Sequence, residues 1–166
     1  MTPNPYETPR ADVEQDENLP VRPITGIFSG VLIDLGGTIL VVSLINFFYA
    51  IYIASKGATA AEVQQILTTS DPSSALGMLN SLAGMVMSYL AGFYCLRISR
   101  GTNLRYPLIL ATIVLVIGLA AGLGWSDMNV FLLLGFSILT VVVTLLGGAN
   151  ALRQSAKVVM PPGAQK

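Results

Sequence analysis

The chain of 166 residues contains no histidine, a single cysteine and little charge. Without histidine it cannot assemble a His-ligated haem, a Cys/His zinc site or a Ser–His dyad from its own side chains. One cysteine excludes an intrachain disulfide. Charged residues make up 11% of the sequence, against about 25% in an ordinary soluble domain. A surface facing water needs charge to cover it, whereas a surface facing lipid does not. Basic and acidic residues number 9 each, so the formal net charge is zero and nothing points to a nucleic-acid partner. The N-terminus also lacks the basic-then-apolar opening of a secretory signal peptide.

The same deficits argue against catalysis. Intramembrane aspartyl proteolysis needs two carboxylates sharing a proton, and the apolar part of this chain has one. No glycine-rich phosphate loop precedes a lysine. The expectation is a protein that is not an enzyme and carries no cofactor or metal.

What the chain has is hydrophobic residues, 53% of the total, with a mean hydropathy of +0.68. A spanning helix requires about 20 mostly apolar residues. Four stretches meet this, at about 24–54, 75–96, 106–123 and 128–149. In lipid the backbone must satisfy its hydrogen bonds internally, so helix is the default spanning form. The fold class expected is therefore all-α: a polytopic membrane protein with four transmembrane helices in an antiparallel bundle within residues 23–153. Residues 1–22 carry Glu7, Asp12, Glu14, Asp16 and Glu17 together with four prolines. Such a composition cannot bury enough apolar surface to order itself, so 1–22 and 154–166 read as disordered tails. The first stretch would measure about 46 Å at a rise of ~1.5 Å per residue, against a hydrocarbon core of about 30 Å. The excess calls for tilt or a kink, with Gly36-Gly37 as the natural kink site.

Connections add detail. Thr59 and Glu62 have capping-box spacing, and Ala60, Val63, Ile66 and Leu67 follow at helical intervals. They predict a short amphipathic helix in the first outer loop. Asp71-Pro72 predicts that the second long helix begins near Pro72. The connections at 97–105 and 124–127 are short, which forces antiparallel neighbours.

Lysine and arginine accumulate on cytoplasmic loops. With the N-terminus inside, Arg10, Arg22, Arg97, Arg100, Arg105, Arg153, Lys157 and Lys166 are all cytoplasmic and Lys56 alone is outside. Both termini are thus expected in the cytoplasm, the lipid bilayer being the first partner. Arg97, Arg100 and Arg105 form a basic loop with two readings, plain positive-inside anchoring and contact with anionic lipid headgroups. Cys95 reads as a small packing residue, with juxtamembrane acylation as the alternative.

Lipid gives helices no hydrophobic reason to associate, so small residues must supply close packing. Each span carries a stripe at intervals of three and four: Gly26, Gly30, Asp34 and Gly37; Gly77, Ser81, Gly84, Ser88 and Gly92; Gly118 and Gly122; Ser137, Thr140, Thr144 and Gly148. These stripes predict a compact bundle, or contact with a second copy or another membrane protein. Asn46 and Asn80 are the other strongly polar span residues and read as helix–helix hydrogen-bond partners.

Asp34 is the only ionisable acid or base within the apolar spans. A mid-membrane Asp costs about 2.5–3.5 kcal/mol on insertion scales, so it is a functional candidate by default. Three roles fit. It serves as structural glue, hydrogen-bonded to Asn80, Ser81, Ser88, Thr140 or Thr144. It binds a proton or cation in a transport cycle. Or it pairs with a charge on another subunit.

Two resemblances bear on these roles. Four helices with one acid, Asp34, in the first resemble the small multidrug resistance transporters, which implies proton exchange for cationic drugs at that residue. That family carries Glu, in shorter chains without a long acidic tail or a loop helix. The opening Asn4-Pro5-Tyr6-Glu7-Thr8-Pro9 is similar to tails on uncharacterised small four-helix bacterial inner-membrane proteins, which implies a bacterial inner-membrane location and no activity. The resulting expectation is a small inner-membrane protein of structural or accessory type. The alternative is a proton- or cation-coupled small-molecule transporter using Asp34.

Overall fold

The computed structural model describes residues 21–68, 74–123 and 130–159. Residues 1–20, Asp71-Pro72, the connection at 124–127 and the residues after Val159 lie outside the described residues. Six α-helices make up nearly all of what is described: α1 (Pro23–Val31), α2 (Gly37–Ser55), α3 (Ala60–Thr68), α4 (Ala75–Ser99), α5 (Arg105–Leu123) and α6 (Val130–Val159). No strand occurs among the described residues.

A π-helical turn, Leu32–Gly36, joins α1 to α2, so the two run as one helix of 33 residues from Pro23 to Ser55. The sequence pointed to a glycine kink at Gly36-Gly37. The chain instead absorbs the irregularity just upstream in the wider turn, and Gly37 resumes α-helical geometry against Met87. Pro23 opens α1, where its missing N–H costs nothing.

Three helices are long and apolar enough to cross a membrane: Pro23–Ser55, Ala75–Ser99 and Leu134–Ser155. Arg105–Ala120 in α5 is apolar but shorter. The chain is a helical membrane protein. α4 starts at Ala75, where hydropathy placed the second span, with the Ser74 hydroxyl accepting the Gly77 N–H at 3.1 Å as its cap, while the Asp71-Pro72 that suggested an earlier start lies outside the described residues. Other boundaries differ from those read off hydropathy. α4 ends at Ser99 and α6 continues to Val159, so residues 154–159 are helical where a disordered tail was expected. Hydropathy ends where lipid ends, but Ala, Leu, Arg, Gln and Lys remain good helix formers in water.

α4 is the hub, packing on α1, α2, α5 and α6, while α5 also packs on α1 and α6. Cross-links give the directions. The Arg22 N–H donates to the Ser99 carbonyl at 3.1 Å, Ser88 meets Asp34 and Asn80 meets Asn46. The first long helix therefore runs antiparallel to α4. The packed core sits at the arginine-bearing end, around Ala91, Cys95, Leu110 and Val114. There glycines bring backbones together. Gly92 lies on the Thr144 carbonyl, Gly147 on the Tyr89 carbonyl, and Gly26 on Cys95 and Ser99. Asn150 donates to the Tyr89 hydroxyl at 2.6 Å and ties α6 to α4.

The other half is splayed. α2 has no buried residue. Gly118 was expected on a close contact face, but nothing would meet a Cβ there within 4 Å. It faces Ser137 and Thr140 across a cavity of about 210 Å³. Phe136 lines the same cavity. α3 packs on α2, with Val63 and Leu67 toward a groove of about 580 Å³ that Phe47 and Ile51 also line.

Candidate functional site

The site is built on the π-helical turn. Such turns widen the helix and re-aim side chains, often at functional positions. Asp34 sits in the middle of it, 5% exposed. Facing it on α4, the Ser88 hydroxyl donates to Asp34 Oδ1 at 2.6 Å. Ser88 is itself buried. A hydroxyl–carboxyl bond of this length lies at the short end of the O–H···O range.

Of the five partners the sequence offered Asp34, only Ser88 is used. Ser81 donates to the Gly77 carbonyl at 2.9 Å, Thr140 to Phe136 at 2.9 Å and Thr144 to Thr140 at 2.8 Å. Hydroxyls in helices commonly bond back to their own preceding turn. Asn80 is spent on Asn46, donating to its Oδ1 at 3.2 Å, while the buried Asn80 Oδ1 has no partner.

Beside Asp34 lies a cavity of about 300 Å³ between α2, α4 and α6. Thr38, Ser81, Ser88 and Thr140 give it polar patches, and Leu35, Ile39, Met85 and Phe136 give it apolar walls. Among the described residues neither Asp34 Oδ2 nor the Thr38 hydroxyl makes a hydrogen bond. Thr38 was not singled out from the sequence. Its place one turn after Asp34 is the clue that would have found it.

The basic loop gathers elsewhere. Arg97 lines a small cavity of about 140 Å³ with Phe93, Gln154 and Ser155. Arg100 is exposed at φ 53, and the Arg105 N–H is capped by Asn103 Oδ1 at 3.1 Å. Arg22 joins this end through its bond to Ser99, a neighbour the sequence did not reveal. Cys95 is 0% exposed within the core, so it packs as a small apolar residue and offers no accessible thiol for acylation. No group of His, Cys, Asp or Glu suited to a metal occurs among the described residues. Compared with family models, curated proteins and solved structures, the chain matches none.

Proposed function

We propose that this chain is a four-helix bacterial inner-membrane protein of structural or accessory type, with both termini in the cytoplasm, that assembles with a second copy or another membrane protein. The observation that carries the reading is the polar face of the splayed half. α2 has no buried residue, yet it bears Ser43 and Asn46 in mid-helix. Ser43 is exposed and makes no hydrogen bond among the described residues. Hydrocarbon cannot satisfy such groups, and polar side chains in membranes bond across helices, at about 0.6 kcal/mol each on average. A helix laid against α2 supplies a partner for Ser43.

Cysteine scanning in a Cys95→Ala background tests this. Ser43→Cys is expected to cross-link in native membranes, and Val116→Cys, on an exposed apolar face, is expected not to. A monomeric mass in mild detergent, with no cross-link at any α2 position, removes the reading.

A further inference from the structure

We propose that the acidic stretch at residues 12–17 docks on this chain's own arginine-bearing end, with one carboxylate in the notch beside Arg97. Arg22, Arg97, Arg100, Arg105 and Arg153 are all exposed at that end. None makes an ion pair among the described residues. The described carboxylates are Asp34 and Glu62, and neither is near. Asp34 is buried against Ser88, and Glu62 caps α3 beyond the far end of the first long helix. Five like charges gathered at one end repel one another and attract an anion.

The notch sets the chemistry of what fits. It holds about 140 Å³ between α4 and α6, lined by Arg97, Gln154, Phe93, Ala151 and Ser155. The Arg97 guanidinium and the Gln154 amide carry N–H donors without a partner among the described residues. The Ser155 hydroxyl is spent on the Ala151 carbonyl at 3.1 Å. A cation finds no anion here, whereas a planar carboxylate finds the Arg97 fork. Phe93 and Ala151 offer an apolar wall to the methylenes of an acidic side chain.

Charge and tether identify the occupant. Residues 1–20 carry Glu7, Asp12, Glu14, Asp16 and Glu17 against Arg10 alone. They join the described chain at this same end, where the Arg22 N–H is bonded to the Ser99 carbonyl at 3.1 Å. Glu17 and Asp12 lie five and ten residues before that anchor. At ~3.6 Å per residue those lengths reach at most about 18 and 36 Å. Packed helix axes are about 8–10 Å apart, so every arginine is within reach. A tether this short holds the acids at an effective concentration on the order of millimolar. An anionic headgroup or free phosphate has to displace them to reach the same arginines. The contact is the same whichever side of the membrane this end faces.

The test is backbone nitrogen relaxation NMR on the full chain in nanodiscs of zwitterionic phosphatidylcholine, with the amides of α4 reporting that the protein is folded. Order parameters at residues 12–17 are expected above about 0.6 at low salt. They are expected to fall below it at about 1 M sodium chloride, where the screening length is about 3 Å. Arg97→Gln combined with Arg153→Gln is expected to remove the order at low salt. Asp12→Asn, Glu14→Gln, Asp16→Asn and Glu17→Gln together are expected to do the same and leave the arginines in place. Nanodiscs that include phosphatidylglycerol are expected to leave the order unchanged. Order parameters below about 0.6 in the natural chain at low salt, or order that survives in either folded variant, overturns the proposal. Order lost when phosphatidylglycerol is present overturns it too, and makes anionic headgroups the occupant.

Discussion

At the scale of single residues, two glycines that look alike in the sequence have opposite roles. Gly92 and Gly118 each belong to a small-residue stripe. At Gly92 a methyl would drive into the Thr144 backbone carbonyl, which cannot swing aside. At Gly118 it would meet nothing within 4 Å. Gly92→Ala is therefore expected to cost about 1–3 kcal/mol through overpacking. Gly118→Ala is expected to gain up to about 1 kcal/mol from helix propensity. Thermal unfolding in one detergent checks both, and a matched response in the two variants contradicts the packing described. Asp34 itself was legible, because one carboxylate in apolar sequence stands out. Its partner was not. Ser88 differs from Ser81, Thr140 and Thr144 only in having a carboxylate opposite it, and that depends on how two helices are rotated.

At the scale of elements, α3 shows how much a local motif can specify. Glu62 Oε2 accepts the Thr59 N–H at 2.7 Å and the Thr59 hydroxyl at 2.9 Å, and the Glu62 N–H returns a bond to Thr59 at 3.4 Å. The Thr59 backbone N–H, then its hydroxyl, hold the Glu62 carboxyl below its ordinary range. A carboxyl depressed in the folded state stabilises α3 above its unfolded value, and that stability is lost as pH falls through the folded value. Amide protection in α3 is thus expected to be flat near neutrality and to drop below the usual carboxylate range. Glu62→Ala is expected to lower protection at neutral pH and abolish the acid dependence. Hydrogen exchange followed by NMR measures it, and a pH-independent α3 in the natural chain refutes the assignment. The π-helical turn is the contrasting case. The first span's excess length and its Gly-Gly pair signalled an irregularity within a few residues of the true one. Its type was not legible, since an inserted residue in the ladder depends on what α4 presents opposite it.

At the scale of the whole molecule, the bundle is tight at its arginine-bearing end and open at the other. The chemistry divides the same way, with glycine–backbone contacts at one end and unspent polar groups at the other. We propose that the arginine-bearing end faces the cytoplasm, which labelling tests. In a Cys95→Ala background, Ala61→Cys and Ser126→Cys are expected to react with a membrane-impermeant maleimide from outside intact cells. Thr102→Cys is expected to react only after permeabilisation. Labelling of residues 61 and 126 from opposite sides means that α5 or α4 does not cross, and the four-span reading fails.

The sequence alone determined the solvent and the long apolar helices, though not their ends or the π-helical turn. Hydropathy over ~20 residues and the obligatory pairing of backbone groups in lipid are local properties, as is the Thr59–Glu62 cap. Tertiary structure alone decided which small residues touch, which hydroxyl reaches Asp34 and where the cavity lies. Helices that are apolar on nearly every side carry no amphipathic stripe to set their rotation. Their facing angle emerges only when glycines on one helix find backbone on another, and Asp34, Ser88 and Thr38 are brought to their places by that choice.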